Sequence, residues 1–146
     1  MGFSRTSLKW IASYLQDRSL QVIDKNSRSE PLSINLGVPQ GSVLGPLLFN
    51  LYINDVKSYL PDDVYHILYA DDLQVYFQAS PEDAISATEK LAKIVRMVTD
   101  WAADLSLRLN HDKMKAIYFG TRTFVDQLNN LNYLSVDLGK GNFYSL

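Results

Sequence analysis

The stretch Tyr65-His66-Ile67-Leu68-Tyr69-Ala70-Asp71-Asp72-Leu73-Gln74-Val75-Tyr76-Phe77 decides how this chain is read. Two short β-like runs, 65–69 and 73–77, enclose a pair of adjacent acids. Neighbouring side chains on a regular strand point to opposite faces, so both acids serve one site only if a tight turn separates the runs. Carboxylates held that way suit Mg²⁺, which is usually bound by one or two carboxylates together with substrate phosphates, and a hairpin tip of this kind fits nucleotidyl transfer. The same four residues 69–72 also read as a solvated turn, because Asp is common in turns for its own hydrogen-bonding reasons. Taken alone they leave both readings open.

The flanking segments set the fold. Upstream, Leu8, Ile11, Ala12 and Leu15 recur at helical spacing with Ser4 or Thr6 as a cap. Residues 19–24 and 32–36 read as strands of a hairpin with polar turn material, Lys25-Asn26-Ser27-Arg28, between them. A constrained loop, 37–46, leads into an apolar helix over 47–56, with Pro46 tolerated in its first turn. Downstream, Ser80 as cap, Pro81 at the first position and the acids Glu82 and Asp83 mark the start of a long helix running to about Leu105. Its apolar face is Ala84, Leu91, Ile94, Val95, Val98, Trp101, Ala102 and Leu105, with Glu89, Lys90, Lys93 and Arg96 solvated. A strand over 114–119 follows the turn Asn110-His111-Asp112, and the pattern fades beyond Gly120 into an irregular tail, 121–146. The order predicts an α+β fold, with helices packed on one face of an antiparallel sheet whose other face meets a ligand. Trp10 and Trp101 both read as core.

Composition narrows the function. The 146 residues are 47% hydrophobic and 21% charged, as expected of about one globular domain, and the absence of cysteine excludes disulfides and thiolate zinc sites. Residues 1–9 do not resemble a signal peptide, and an intracellular setting, nuclear or cytoplasmic, is expected. The net charge is −2 and the pI about 5.6. Arg5, Lys9, Arg18, Lys90, Lys93, Arg96, Arg108, Lys113, Lys115 and Arg122 form no stripe, so a nucleic-acid partner requires phosphate neutralisation from other parts. Gly37, Gly41 and Gly45 have the spacing of packed transmembrane helices. Pro39 and the polar Asn50, Asn54 and Asp55 nonetheless exclude a span of about 20 apolar residues, and no membrane role is expected. His66 and His111 are isolated and do not read as metal ligands. Asp62-Asp63 belongs to a turn, and Asp55 closes a helix.

The loop Gly37-Val38-Pro39-Gln40-Gly41-Ser42 has glycines where backbone can approach another molecule, an amide able to donate and accept at Gln40, and Ser42 near a helix start. With Val43-Leu44-Gly45-Pro46-Leu47-Leu48-Phe49, then Tyr52-Ile53-Asn54-Asp55, then Tyr69-Ala70-Asp71-Asp72, the chain resembles the palm of a reverse transcriptase. The likeness is to the non-LTR retrotransposon group (LINE-like, jockey-type). Gly2-Phe3-Ser4, Trp10-Ile11, Ser13-Tyr14-Leu15 and the segment 107–120, with Leu109-Asn110 and Lys113, extend it over residues 2–120.

The resemblance implies a partial reverse transcriptase domain over 1–120, followed by a tail that ends before the primer grip and thumb. It implies that Asp71 ligates the catalytic metals, that Asp72 is the second carboxylate, and that two Mg²⁺ ions serve an in-line displacement. Tyr69 and Ala70 would lie near the primer end, Gln40 and Gly41 under the template base and incoming nucleotide, and Ser42 at the turn into the supporting helix. Lys113 would protonate or neutralise departing pyrophosphate, or else be a solvated strand-end lysine. Implied partners are an RNA template, a DNA primer, deoxynucleotides, and the fingers, thumb and endonuclease domains of a larger element protein.

The family's metal site takes a third carboxylate from an upstream strand that the resemblance places before Met1. With two of three carboxylates the isolated chain is expected not to polymerise. Two other readings stand beside the polymerase: a non-catalytic remnant or palm fragment that binds nucleic acid, and a hairpin-rich Ca²⁺ or Mg²⁺ module. The module leaves the glutamine-glycine loop unexplained.

Overall fold

A computed structural model describes residues 2–122, 125, 135–137 and 143–145. The chain divides into two compact units, 1–52 and 53–146.

The first unit opens on α1 (Arg5–Leu15), capped by Ser4, whose hydroxyl accepts from the Ser7 N–H at 3.1 Å. That bond satisfies one of the donors a helix start leaves without a partner. The helix buries no residue. Trp10, expected in the core, is 55% exposed and stacks on Tyr14 one turn later, with ring centroids 6.0 Å apart. The helical repeat was right, but Trp10 lines an open cavity with Leu44, Leu47, Leu48 and Leu51 and is not buried in a core.

The expected hairpin is present as two nested ladders. β1 (Arg18–Leu20) pairs antiparallel with β4 (Leu32–Ile34), and β2 (Ile23–Asp24) with β3 (Ser27–Arg28). The turn is therefore tighter than the sequence suggested, with only Lys25 and Asn26 between the inner strands, and Lys25 at φ +51°. Pro31 lies beside the break, where it has no N–H to give the ladder. There Ser29 takes over, its amide donating to Val22 O and its hydroxyl accepting from Val22 N, each at 3.0 Å.

The apolar helix expected over 47–56 is two pieces. α2 (Gly45–Tyr52) ends the first unit, and a 3₁₀ helix, Asn54–Tyr59, begins the second. The tighter winding aligns positions three apart, which places Ile53 and Val56 together in the core at 3% and 0% exposure. Asp55 lies inside this 3₁₀ helix rather than closing α2.

In the second unit β5 (Tyr65–Tyr69) and β6 (Asp72–Tyr76) form the expected hairpin. A 3₁₀ turn, Pro81–Asp83, then leads into α3 (Ala84–Asp104). Ser80 does not cap a backbone N–H; its hydroxyl donates to the Asp83 carboxylate at 2.6 Å. The face read from the sequence is the buried one: Ala84, Ile94, Val95, Val98, Trp101 and Ala102 are buried, joined by Ala87, while Leu91 and Leu105 are half-buried. Ile53, Val56, Leu60 and Val64 complete the core.

Residues 114–119 alternate half-buried and exposed, as a strand does, but have no ladder partner among the described residues. Instead of one antiparallel sheet with helices on a face, the described strands form separate two-stranded sheets. Alternation specifies an extended segment and its inner face, but pairing needs a neighbour that the pattern cannot name. Most of the tail expected to be irregular lies outside the described residues; within it, β7 (Ser135–Asp137) pairs antiparallel with β8 (Phe143–Ser145). The class is mixed helix and small antiparallel sheet. Among the described residues no helix is long and apolar enough to cross a membrane.

Candidate functional site

Tyr69 and Asp72 face each other as the last ladder pair of the β5–β6 hairpin, leaving Ala70 and Asp71 as its two-residue connection. This is the tight turn that two neighbouring acids require to share a tip. Ala70 adopts φ +51°, the left-handed region that tight hairpin turns demand and that costs an L-residue about 1–2 kcal/mol. Alternation along the strands does the rest. His66, Leu68, Leu73 and Val75 form a half-buried face, and Tyr65, Ile67, Tyr69, Asp72, Gln74 and Tyr76 an exposed one. Tyr65 and Tyr76 stack across the strands at 5.4 Å, and Tyr69, at 80% exposure, stands beside the acids. Asp71 and Asp72 are exposed.

The base of the hairpin is tied to the rest of its unit. Lys57 donates to Pro61 O at 3.2 Å and Val64 O at 3.1 Å, fixing the turn that enters β5. Lys90 of α3 pairs with Asp63 and lies 4.6 Å from the ring centroid of Phe77, just beyond β6. The hydrogen bond from Lys90 holds the Asp63 carboxyl below the usual carboxylate range. Trp101 Nε1 donates to Asp55 Oδ1 at 2.9 Å, so the 3₁₀ helix ahead of the hairpin is pinned to α3. Asp55, Lys57, Asp63 and Lys90 are the supporting residues that sequence reasoning missed. A carboxylate and a cation in separate elements carry no local pattern that pairs them.

In the first unit Gln40, Gly41 and Ser42 lie in a loop that closes on itself. The Ser42 hydroxyl donates to Pro39 O at 2.9 Å and accepts from the Gly45 N–H at 2.9 Å. The second bond satisfies an orphan donor at the start of α2, so Ser42 does stand at the turn into that helix. Gly41 has φ +80°, and a Cβ there would meet nothing, so the residue is required by backbone conformation and its surface is open to approach. Gly45 is closely crowded, since a Cβ there would lie 3.0 Å from both Pro39 O and Ser42 Oγ. Gln40 is exposed.

The structure thus brings Tyr69, Ala70, Asp71 and Asp72 together at one tip, and Gln40, Gly41 and Ser42 together in one loop. Lys113 lies in neither, ending the short 3₁₀ turn His111–Lys113, where Asn110 Oδ1 accepts from Asp112 N at 3.2 Å and Lys113 is exposed. His66 belongs to the half-buried face of the hairpin. Two adjacent carboxylates cover part of one Mg²⁺ octahedron and leave the remainder to water or phosphate oxygen. No group of three potential metal-ligating side chains occurs among the described residues, so this donor set does not by itself fit a pair of ions.

Residues 1–138 match the family model described as reverse transcriptase (RNA-dependent DNA polymerase). The chain is similar to the RNA-directed DNA polymerase from mobile element jockey of Drosophila melanogaster, at 31% identity over 119 residues, 77% of this chain and 13% of that protein. It is similar also to the probable RNA-directed DNA polymerase from transposon BS of the same species, at 29% identity over 152 aligned positions, 89% of this chain and 16% of that protein. A third relative is the probable RNA-directed DNA polymerase from transposon X-element of Drosophila melanogaster, at 30% identity over 114 residues, 75% of this chain and 12% of that protein. The chain therefore spans less than a fifth of the length of each. No solved structure matches it. With the family model covering nearly all of its length and the glutamine-glycine loop and acid pair in the order described above, the chain belongs to the reverse transcriptase family.

Proposed function

We propose that this chain is the palm portion of an RNA-directed DNA polymerase from a retrotransposable element, and that on its own it does not copy RNA. The observation that supports this reading is the two-residue hairpin tip at Ala70-Asp71, which sets the adjacent acids Asp71 and Asp72 at one turn, as metal-dependent nucleotidyl transfer would need. Asp71 and Asp72 would hold Mg²⁺ together with at least one further carboxylate from outside the described residues. The metal, when bound, supplies charge stabilisation at the nucleotide phosphates. The residues of this chain do the positioning. Tyr69 and Ala70 flank the primer end, Gln40 and the open surface of Gly41 support the template base and nucleotide, and Ser42 holds that loop to α2. Lys113 is a candidate for neutralising the leaving pyrophosphate. Template RNA, DNA primer, deoxynucleotides and the remaining polymerase and endonuclease parts are the partners.

The test grafts residues 2–120 in place of the aligned segment of the jockey polymerase and measures primer extension on an RNA template with Mg²⁺. The graft is expected to extend the primer, Asp71→Asn to reduce extension by about a thousandfold or more, and the isolated chain to give none. Extension that survives Asp71→Asn overturns the reading.

The incomplete donor set at the tip favours a second reading, a non-catalytic remnant that retains nucleic-acid binding. Affinity of the isolated chain for a primer–template duplex that falls steeply with salt supports it.

A further inference from the structure

Arg18 is the first residue of β1, and Asp17 before it, at φ +51°, turns the chain out of α1. Its half-buried side chain reaches backbone on two elements. Nε donates to Leu15 O at 3.0 Å, and one terminal nitrogen donates to Gly37 O at 2.6 Å and, more weakly, to Leu36 O at 3.4 Å. Leu15 ends α1, so its carbonyl is among those a helix leaves without an internal partner, and a cation there is favoured by the helix dipole. Gly37, at φ +71°, is the left-handed residue that opens the loop carrying Gln40 and Gly41.

The two ends of that loop are held differently. Its far end is closed by Ser42, through Pro39 O and the Gly45 N–H. At its near end the β1–β4 ladder stops at Ile34, and among the described residues the backbone from there to Pro39 is tied by Arg18. We infer that Arg18 is a positioning residue for the Gln40–Gly41 loop, fixing the Gly37 carbonyl against the end of α1 and so the direction in which the loop leaves β4. What the loop does in catalysis rests on the function proposed above; the tether itself does not. Arginine is required because its planar guanidinium donates along two directions at once, to Leu15 from Nε and to Gly37 from the fork. A lysine ammonium on a flexible stem keeps the charge but not that geometry.

The test uses the full chain with Arg18→Lys and Arg18→Gln, followed by amide hydrogen exchange and by the Arg18 Nε–H resonance. In the native chain that resonance is expected to be protected from exchange. In both variants the Ser42 and Gly45 amides are expected to exchange about tenfold faster, and the Gly37 and Gly41 resonances to shift, while the Gln16 amide, bonded to Ala12 O, stays within about twofold. Native loop exchange in Arg18→Lys overturns the requirement for a planar fork. Native loop exchange in Arg18→Gln, or acceleration shared equally by α1 and the loop, overturns the positioning role. These readouts need no polymerase activity, so an inactive graft would count against the proposed function and leave the tether to be judged by exchange.

Discussion

In residues 53–146 a continuous apolar face of α3 meets Ile53, Val56, Leu60 and Val64, and Trp101 is 3% exposed. Among the described residues 2–52 the one buried position is Gly45, and Phe3, Leu8, Trp10, Leu20, Val22, Ile23 and Leu32 are all more than half exposed. The hairpin that carries the acid tip is therefore entered from the packed core, at buried Val64, whereas the glutamine-glycine loop is held by a serine hydroxyl, an arginine fork and glycine geometry. Core packing is non-directional and cumulative, so it tolerates single losses by degree. A loop held by a few directed bonds depends on each of them.

The sharpest way to break this comparison is to remove the two tryptophans in turn. Trp101→Ala should cost about 3–5 kcal/mol, through the cavity and the loss of the donor to Asp55. Trp10→Ala should cost less than about 1 kcal/mol, as an exposed side chain with one ring neighbour. Urea titration decides it, with exchange of α3 amides as the readout for Trp101 and of α1 amides for Trp10, and equal costs would end the distinction. Next in size is Gly45→Ala, where the added methyl meets Pro39 O and Ser42 Oγ; about 1–3 kcal/mol is expected, read as faster exchange at Ser42.

Gly41 sharpens the point because nothing crowds it. Gly41→Ala should cost about 1–2 kcal/mol by backbone conformation alone, and Gly41→Asn less, since Asn tolerates the left-handed region better. At the other tip, Ala70→Gly should stabilise the hairpin by up to about 1 kcal/mol, measured by exchange across β5 and β6, because it relieves the positive φ.

The smallest effect is a pH dependence. The folded Asp63 carboxyl is depressed by its hydrogen bond from Lys90, so its contribution to stability is present above the unfolded carboxylate pKa of about 3.9 and is lost as pH falls through the lower folded value. Lys90→Met should weaken that acid-limb dependence, which thermal melts from neutral pH down to about pH 3 would detect. The Asp63 side chain is mostly exposed, so solvent screens the pair and the change is small.

The hairpin 65–77 was legible because period-2 alternation and an Ala-Asp-Asp interruption admit few other geometries; the second strand is shifted by one residue, from 73–77 to Asp72–Tyr76. The buried face of α3 was legible from its 3.6-residue repeat. Trp10 was misread because periodicity marks an apolar face without saying whether anything covers it. The break at Ile53 was hidden because α- and 3₁₀ windings share local propensities and differ in which core they meet. Gln40, Gly41 and Ser42 were visible as a loop, but that Gly41 is favoured by its φ and Gly45 is crowded by Pro39 and Ser42 was not.

By itself the sequence determined the family, the local elements and the tip geometry of Asp71 and Asp72, because each follows from residue type and spacing over a few neighbours. Only the tertiary structure decided that Arg18 meets Leu15 and Gly37, that Trp101 meets Asp55, that Lys90 meets Asp63 and Phe77, and that residues 114–119 lack a ladder partner among the described residues. Apart from Arg18 to Leu15, one helical turn away, those contacts join positions remote along the chain, and their energies depend on distance and direction in space, which no local pattern encodes.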